Sequence, residues 1–386
     1  MDNQNHRENI MKKNITRRDW LVGTSAAAAG GMILTSTANA QDMGSIMNMD
    51  VPISPENPIR MTNNENPYGI NPKVMKVIIE ACKRAHTYNF TIRGELTKII
   101  AEMENIPEEF IAVGAGSGEY LMATGALCGM SGGDMVTPYP TFGGILRSAR
   151  NFGANIINVP VADDLTIDLD AMRKAITDKT TCIYLCNPNN PIPSIIEKNA
   201  LEEFCQEFSK KAMIVIDEAY YEYVRDDNFS TMAYLIKDNP NIVVLRTASK
   251  IHGFANVRIG FAFAHPDTLK QLMKFRSGTT SYPALKGAIT SYQDKEYQKF
   301  VVDKNYESLN ILYKMFDELD LPYLKAHANF VYYNAKRDAK EVRYKLLESG
   351  ILVGRPYEPY KNWVRISTAK PEEMKYLVEV YKRDFG

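Results

Sequence analysis

Seven short apolar runs set the rhythm of the chain: Phe110-Ile-Ala-Val113, Asp134-Met-Val136, Ala154-Asn-Ile-Ile-Asn-Val159, Cys182-Ile-Tyr-Leu185, Ala212-Met-Ile-Val-Ile216, Ile242-Val-Val-Leu245 and Ile259-Gly-Phe-Ala-Phe263. Runs this short, bounded by turn residues and rich in β-branched side chains, predict buried strands. Helical patterns predict helices at about 72–86, 92–104, 120–128 and 168–177. Strands alternating with helices predict an α/β fold with a mostly parallel, doubly wound sheet. After about Ser281 the pattern changes. Long helical segments run from Ala284 to Leu319, followed by the short strands Phe330–Tyr333, Gly350–Val353 and Trp363–Ser367, with helices near 339–349 and from Pro371. This predicts a smaller α+β domain, completed by an extended arm that carries Pro52, Pro55 and Pro58. The expected division is a signal segment at 1–40, the arm and start of the small domain at 41–90, a large domain at 91–281 and the C-terminal part at 282–386.

Composition narrows the function. The 46 basic and 46 acidic residues cancel, so no basic face for nucleic acid is indicated. Five cysteines show no metal or redox spacing, and Cys182 and Cys186 read as core. At the N-terminus, Thr16-Arg17-Arg18-Asp19-Trp20-Leu21 is a twin-arginine pattern with Trp where Phe is more usual. An Ala/Gly-rich stretch and Ala38-Asn-Ala40 follow. The apolar part is short for a membrane span. The expectation is export to the periplasm by the twin-arginine route, a disordered tail or anchor being the alternative.

Candidate chemistry gathers where the apolar runs end. Lys250 lies in Thr247-Ala-Ser249-Lys250, between two predicted core strands. Burial there favours the neutral amine, the form that attacks a carbonyl. The hydroxyls of Thr247 and Ser249, with Arg258, suit a phosphate. Lysine, aldehyde and phosphate together point to pyridoxal phosphate held as a Schiff base; an exposed Lys and Arg flanking a turn is the alternative. Gly114-Ala-Gly-Ser117-Gly118-Glu119 joins a strand to a helix N-terminus, an anion site without the Walker spacing. Asp217 follows five apolar residues and needs a cationic partner, such as a protonated pyridine nitrogen, or else caps a helix. Phe142 sits in a proline-fixed loop and either stacks on a ring or belongs to the core. Asn187-Pro-Asn-Asn190-Pro191 places amides at a strand end, with Asn190-Pro191 a candidate cis bond. Arg365 alternates with Val364 and Ile366 and presents a fork suited to a carboxylate, or to a sheet-edge salt bridge; Arg355 is a second candidate.

These segments, taken in order, resemble the fold-type I pyridoxal-phosphate-dependent aminotransferases, histidinol-phosphate aminotransferase-like branch, over about Ile59 to Gly386. The resemblance rests on Asn64-Glu-Asn-Pro-Tyr-Gly69, Gly114–Glu119, Pro140-Thr-Phe142, Asn187–Pro191, Asp217-Glu-Ala-Tyr220, Ser249-Lys250 with Arg258, and Trp363–Ser367. It implies that Lys250 forms the Schiff base and moves the proton, that Asp217 pairs with the pyridine nitrogen, and that Asn190 and Tyr220 bond the ring oxygen. It implies Phe142 over the ring, and Ser117, Gly118, the Glu119 backbone, Thr247, Ser249 and Arg258 around the phosphate. Tyr88 would reach the cofactor of a second subunit in a homodimer. Arg365 would bind the substrate carboxylate, with Asn66 and Tyr68 facing the substrate. Two departures stand out: Ile192-Pro193 replaces the family's Thr-Gly after Asn-Asn-Pro, and Asn89-Phe90 replaces Pro-Asp after Tyr88.

The implied reaction moves an amino group between an L-amino acid and a 2-oxo acid. The same ring serves decarboxylases, lyases and oxidases, and a non-catalytic binder of the same fold is a third reading. An exported enzyme would not meet histidinol phosphate, an intermediate of a cytoplasmic pathway.

Overall fold

The structure, a computed structural model, describes residues 52–276 and 279–386. The expected signal segment at 1–40 and the first part of the arm lie outside the described residues. After β1 (Ile59–Met61), the helices α1 (Pro72–Cys82) and α2 (Ile92–Glu104) lead into the main sheet. The Asn71 side chain accepts from Lys73 N and Pro72 takes a first-turn position, which fixes where α1 begins. It stops at Cys82 rather than His86, because Lys83, Arg84, Ala85 and His86 are all exposed and supply no apolar face.

The main sheet alternates with helices: β2 (Ile111–Gly114), α3 (Ser117–Met130), β3 (Asp134–Tyr139), α4 (Gly144–Asn151), β4 (Asn155–Pro160), α5 (Leu169–Ala175), β5 (Thr180–Cys186), α6 (Lys198–Phe208), β6 (Met213–Asp217), β7 (Ile242–Thr247) and β8 (Gly260–Ala264). Its order is β2-β8-β7-β6-β5-β3-β4, with β8 antiparallel to both neighbours and the other pairings parallel. A parallel return needs a crossover, and residues 248–259 form no helix, so β8 runs back beside β7. The chain places β4 on one side of β3 and β5 on the other. That reversal opens a crevice at the carboxyl ends of the central strands.

The chain continues through α7 (Pro266–Leu272), α8 (Tyr282–Gln293), α9 (Lys295–Glu318), β9 (Tyr323–Leu324), β10 (Phe330–Asn334), α10 (Ala339–Glu348), β11 (Ile351–Val353), β12 (Trp363–Ser367) and α11 (Pro371–Phe385). The expected long helical segment is two helices, divided at Asp294, whose side chain caps α9 by accepting from Tyr297 N. β9, β10 and β12 form an antiparallel sheet, and β1 from the arm pairs in parallel with β11. Leu285 and Ile289 of α8 share a buried cluster with Val74 and Leu96, so the expected boundary at 281/282 runs through packed core. Leu309, Phe316, Val331, Ile366 and Tyr381 form a second cluster with Ile59. Among the described residues, no helix is long and apolar enough to cross a membrane.

Candidate active site

A cavity of about 420 Å³ opens at the carboxyl ends of the parallel strands, and most of the predicted site residues line it. Its floor follows from the sheet. Asp217 ends β6, Thr247 ends β7, the turn after β2 starts α3 at Ser117, and the loop after β3 carries Thr141 and Phe142. Because the strands are parallel, these groups, distant in sequence, meet on one edge.

One end of the cavity is built for an anion. The start of α3 offers backbone N–H groups, and its N-cap, Gly116, adds no side chain to satisfy them. Gly116 has φ +82°, and a Cβ there would lie 2.1 Å from Arg258 Nη2. A Cβ on Gly260 would lie 2.1 Å from Ser117 N, so only glycine lets β8 pass behind the helix start. Arg258 itself adopts φ +68°, an uncommon conformation for a non-glycine residue. Its guanidinium donates to Ser249 Oγ at 3.1 Å, Ala255 O at 2.7 Å and Ala115 O at 3.2 Å. The Thr247 hydroxyl donates to Ser249 Oγ at 2.9 Å.

Lys250 and Asp217 lie within the same cavity. Lys250 Nζ donates to Asn63 O at 3.1 Å and sits 5.5 Å from the centre of the Tyr220 ring. Burial, then the nearby Arg365, lower its pKa to about 8. Asp217 is buried; Oδ2 accepts from Tyr184 OH at 3.3 Å, while Oδ1 has no partner. Burial raises its pKa to about 6. A buried carboxylate oxygen without a partner is costly, and here it lines a cavity from which a donor can come.

Tyr220 OH accepts from Asn190 Nδ2 at 3.1 Å and from Asn64 Nδ2 at 2.9 Å. Arg365 Nη1 donates to Asn190 Oδ1 at 2.6 Å and Nη2 to Thr62 O, leaving a buried Nε unpartnered. The Tyr357 ring lies 5.3 Å from the Arg365 guanidinium and 5.1 Å from that of Arg355, so both arginines flank one aromatic at the cavity. Phe142 lines the cavity and is 41% exposed, so it is not core. The Asn190–Pro191 bond, a candidate for cis, is cis. Ile192 is buried with Val161, Leu165 and Tyr332, and Pro193 O accepts from His327 N, so this departure ties the asparagine loop to the C-terminal part.

Three predicted side chains, those of Asn66, Tyr68 and Tyr88, lie elsewhere, as does Glu119, of which only the backbone was expected. Asn66 does not line the cavity; it accepts from Tyr68 N at 2.9 Å within its own turn and donates to Ile251 O at 2.8 Å, which ties that turn to the lysine loop. Tyr68 packs edge-on against Phe300. The Glu119 carboxylate turns back to Ala115 N and to Arg276. Tyr88 is 88% exposed and stacks on Phe90, apart from the cavity of its own chain. Conversely Asn63, Asn64, Tyr184 and Tyr357 belong to the site and were not expected. Asn63 and Asn64 stand in the same turn motif as Asn66, but spacing alone does not tell which asparagine of such a turn faces inward.

The chain is similar to known proteins over nearly all of its described length. The family model "Aminotransferase class I and II" matches residues 56–380. The histidinol-phosphate aminotransferase of Caldicellulosiruptor saccharolyticus is 31% identical over 330 residues, covering 85% of this chain and 92% of that protein. The one from Brevibacillus brevis is 33% identical, covering 76% and 81%. The solved structure of the Sinorhizobium meliloti histidinol-phosphate aminotransferase in complex with pyridoxal-5'-phosphate superposes with TM-score 0.76 at 25% identity, covering 90% of this chain and 100% of that one. An Erwinia carotovora atroseptica structure gives TM-score 0.82 at 29% identity, covering 86% and 96%. Strand-end cavity, glycine turn, central lysine and buried acid thus occur in a chain that belongs to the class I and II aminotransferases.

Proposed function

We propose that this protein is a pyridoxal-phosphate-dependent aminotransferase that moves an amino group between an L-amino acid and a 2-oxo acid. The observation that carries this is the pairing of Lys250, its amine poised to lose a proton near pH 8, with the unpartnered Oδ1 of buried Asp217 in one cavity. The residues fit the cofactor. Asp217 Oδ1 requires a donor, which a protonated pyridine nitrogen is. The open helix start at Ser117, with Gly118, Thr247, Ser249 and Arg258, suits its phosphate, whereas the expected Glu119 N–H donates to Gly116 O at 3.2 Å and does not line the cavity. When bound, the cofactor supplies a carbonyl that links covalently to amines and a ring that accepts electrons.

The chain's own groups do the rest. Lys250 Nζ would hold the cofactor through its carbonyl and, as a free amine, would carry the proton lost from the substrate α-carbon to a different carbon, the shift that transamination requires. Asp217 would pair with a protonated ring nitrogen, Tyr220 and Asn190 would bond the ring oxygen, and Phe142 would pack on the ring. Arg365 grips the substrate carboxylate, with Arg355 beside it for a second acidic group. The relatives are named for histidinol phosphate; the proposed export of this chain favours a different amine.

The test is reconstitution with pyridoxal phosphate followed by borohydride reduction and a spectral screen of amino acids. Reduction should label Lys250 alone, and some amino acid should convert the cofactor to its amine form with stoichiometric oxo acid. No covalent label and no half-reaction would remove the proposal.

We also infer export through Arg17 and Arg18 and assembly as a homodimer. The motif at 16–21 supports the first; the exposed Tyr88–Phe90 pair supports the second. Replacing both arginines by lysine should retain the protein in the cytoplasm, measured by fractionation.

A further inference from the structure

The turn after β1 holds one more group that acts on the site. Asn64 is buried, adopts φ +55°, and is tied on every side. Its backbone N–H donates to Ser367 Oγ at 2.9 Å, and the Ser367 hydroxyl donates back to Asn64 Oδ1 at 2.7 Å. Its carbonyl accepts from Asn329 Nδ2 at 3.0 Å. Its remaining polar group, Nδ2, donates to Tyr220 OH at 2.9 Å.

Proton counting gives these contacts a consequence. A phenol oxygen accepts at most two hydrogen bonds and donates one. On Tyr220 both acceptor positions are taken, by Asn64 Nδ2 and Asn190 Nδ2. The one proton of Tyr220 is therefore left for an acceptor in the cavity that Tyr220 lines. Were the Asn64 amide reversed, its oxygen would face Tyr220 and consume that proton. Ser367 opposes the reversal: its proton now goes to Asn64 Oδ1, and with Nδ2 turned toward it this buried hydroxyl would accept twice while its own proton lost its acceptor.

We propose that Asn64, held by Ser367, is a positioning residue that keeps Tyr220 an obligate donor into the cavity. The inference rests on the proposed function, in which the acceptor is the ring oxygen of the cofactor. Ser367 and Arg365 share β12, so one strand both grips the substrate carboxylate and sets the direction of the Tyr220 proton. Burial raises the Tyr220 pKa, which keeps that proton in place across the working range.

A donor to an anionic oxygen stabilises its charge, so weakening Tyr220 raises the pH at which the adjacent proton is lost. The experiment uses full-length protein loaded with pyridoxal phosphate and reads the pH midpoint of the bound cofactor's visible absorbance, with cofactor affinity by dialysis. Asn64→Ala and Ser367→Ala should raise the midpoint by about one unit and weaken cofactor affinity by about tenfold, the scale of one charge-assisted hydrogen bond. Ser367→Thr, which keeps the hydroxyl, should return both to the parent values. Arg365, Asp217, Cys186 and Lys250 also face Tyr220 and are unchanged in all three variants. A parent-like midpoint in Asn64→Ala, or equal shifts in Ser367→Ala and Ser367→Thr, overturns the proposal, because an anchor of the turn alone would lower thermal stability without moving the midpoint. If Asn64→Ala does not fold, the Ser367 pair decides. A parent that binds no cofactor removes the proposed function instead, and this inference with it.

Discussion

Asp217 shows how much one side chain depends on what faces it. In the cofactor-free protein its pKa is raised from 3.8 to about 6, chiefly by burial, with Tyr184, the Ala219 backbone and Lys250 pulling the other way. A raised acid pKa means that the folded chain holds more protons than the unfolded one between those two values. The contribution to stability is therefore complete below about pH 4 and lost as pH rises through about 6. Lys250 runs oppositely: lowered from 10.5 to about 8, it leaves the folded chain short of protons between those values, so stability rises with pH across that interval. Asp217→Asn removes the acid's penalty. Cofactor-free Asp217→Asn should be more stable than the parent by about 1–3 kcal/mol at pH 7, and no more stable at pH 4, by urea unfolding. The same variant should bind pyridoxal phosphate weakly, since an amide does not hold a positive nitrogen. Equal pH dependence in both proteins would remove this account. The sequence marked Asp217, Lys250 and Arg258, and all three line the cavity, because a charged residue beside an apolar strand has few other places to be.

At the scale of elements, β7 shows a charge that sequence reading passes over. Arg246 lies within a strand whose residues are all buried. It pairs with Glu218 at 3.0 Å and Glu104 at 2.5 Å, and its guanidinium lies 3.6 Å from the centre of the Tyr221 ring. Glu218 is itself held by Met232 N and the Thr231 hydroxyl. This network braces the segment after Asp217 from behind, joining β6, β7 and α2. Removing one partner of a buried pair leaves the other charge uncompensated, at a cost of about 3–5 kcal/mol. Arg246→Met should lose that much by urea unfolding, and Arg246→Met with Glu218→Met should recover part of it. A loss under about 1 kcal/mol would show the network to be incidental. The short strands β1 and β9 and the helices α4, α6 and α7 were not expected, whereas the strands of the main sheet and most helices were legible from apolar runs and turn residues. Helix ends were less so: α1 ends four residues early and the long C-terminal helix divides at Asp294, since end positions depend on caps and contacts.

At the scale of the whole molecule, the exposed aromatics matter most. Tyr88 and Phe90 stack at 5.7 Å while 88% and 80% exposed, beside a cavity of about 270 Å³ that includes Arg93 and Tyr282. If a second copy covers them, sedimentation should give a dimer. Tyr88→Ala should then weaken pyridoxal phosphate binding by about tenfold, the loss of one hydrogen bond to a charged group, with less effect from Tyr88→Phe on dimer formation than on affinity. A monomeric parent would end this reading.

The sequence by itself determined the α/β architecture, the order of strand and helix, and the residue types that a lysine-and-phosphate chemistry requires. All of these are local: they depend on periodicity, turn residues and the few roles open to a charge in an apolar run. Only the tertiary structure decided that Asn63 and Asn64, rather than Asn66 and Tyr68, face the cavity. It alone decided that Tyr184 supports Asp217 and that Ile192 is buried against the C-terminal part. Those outcomes hang on contacts between different segments, from 33 residues apart for Tyr184 with Asp217 to 303 for Asn64 with Ser367, and no pattern within one segment encodes the direction in which a buried amide points.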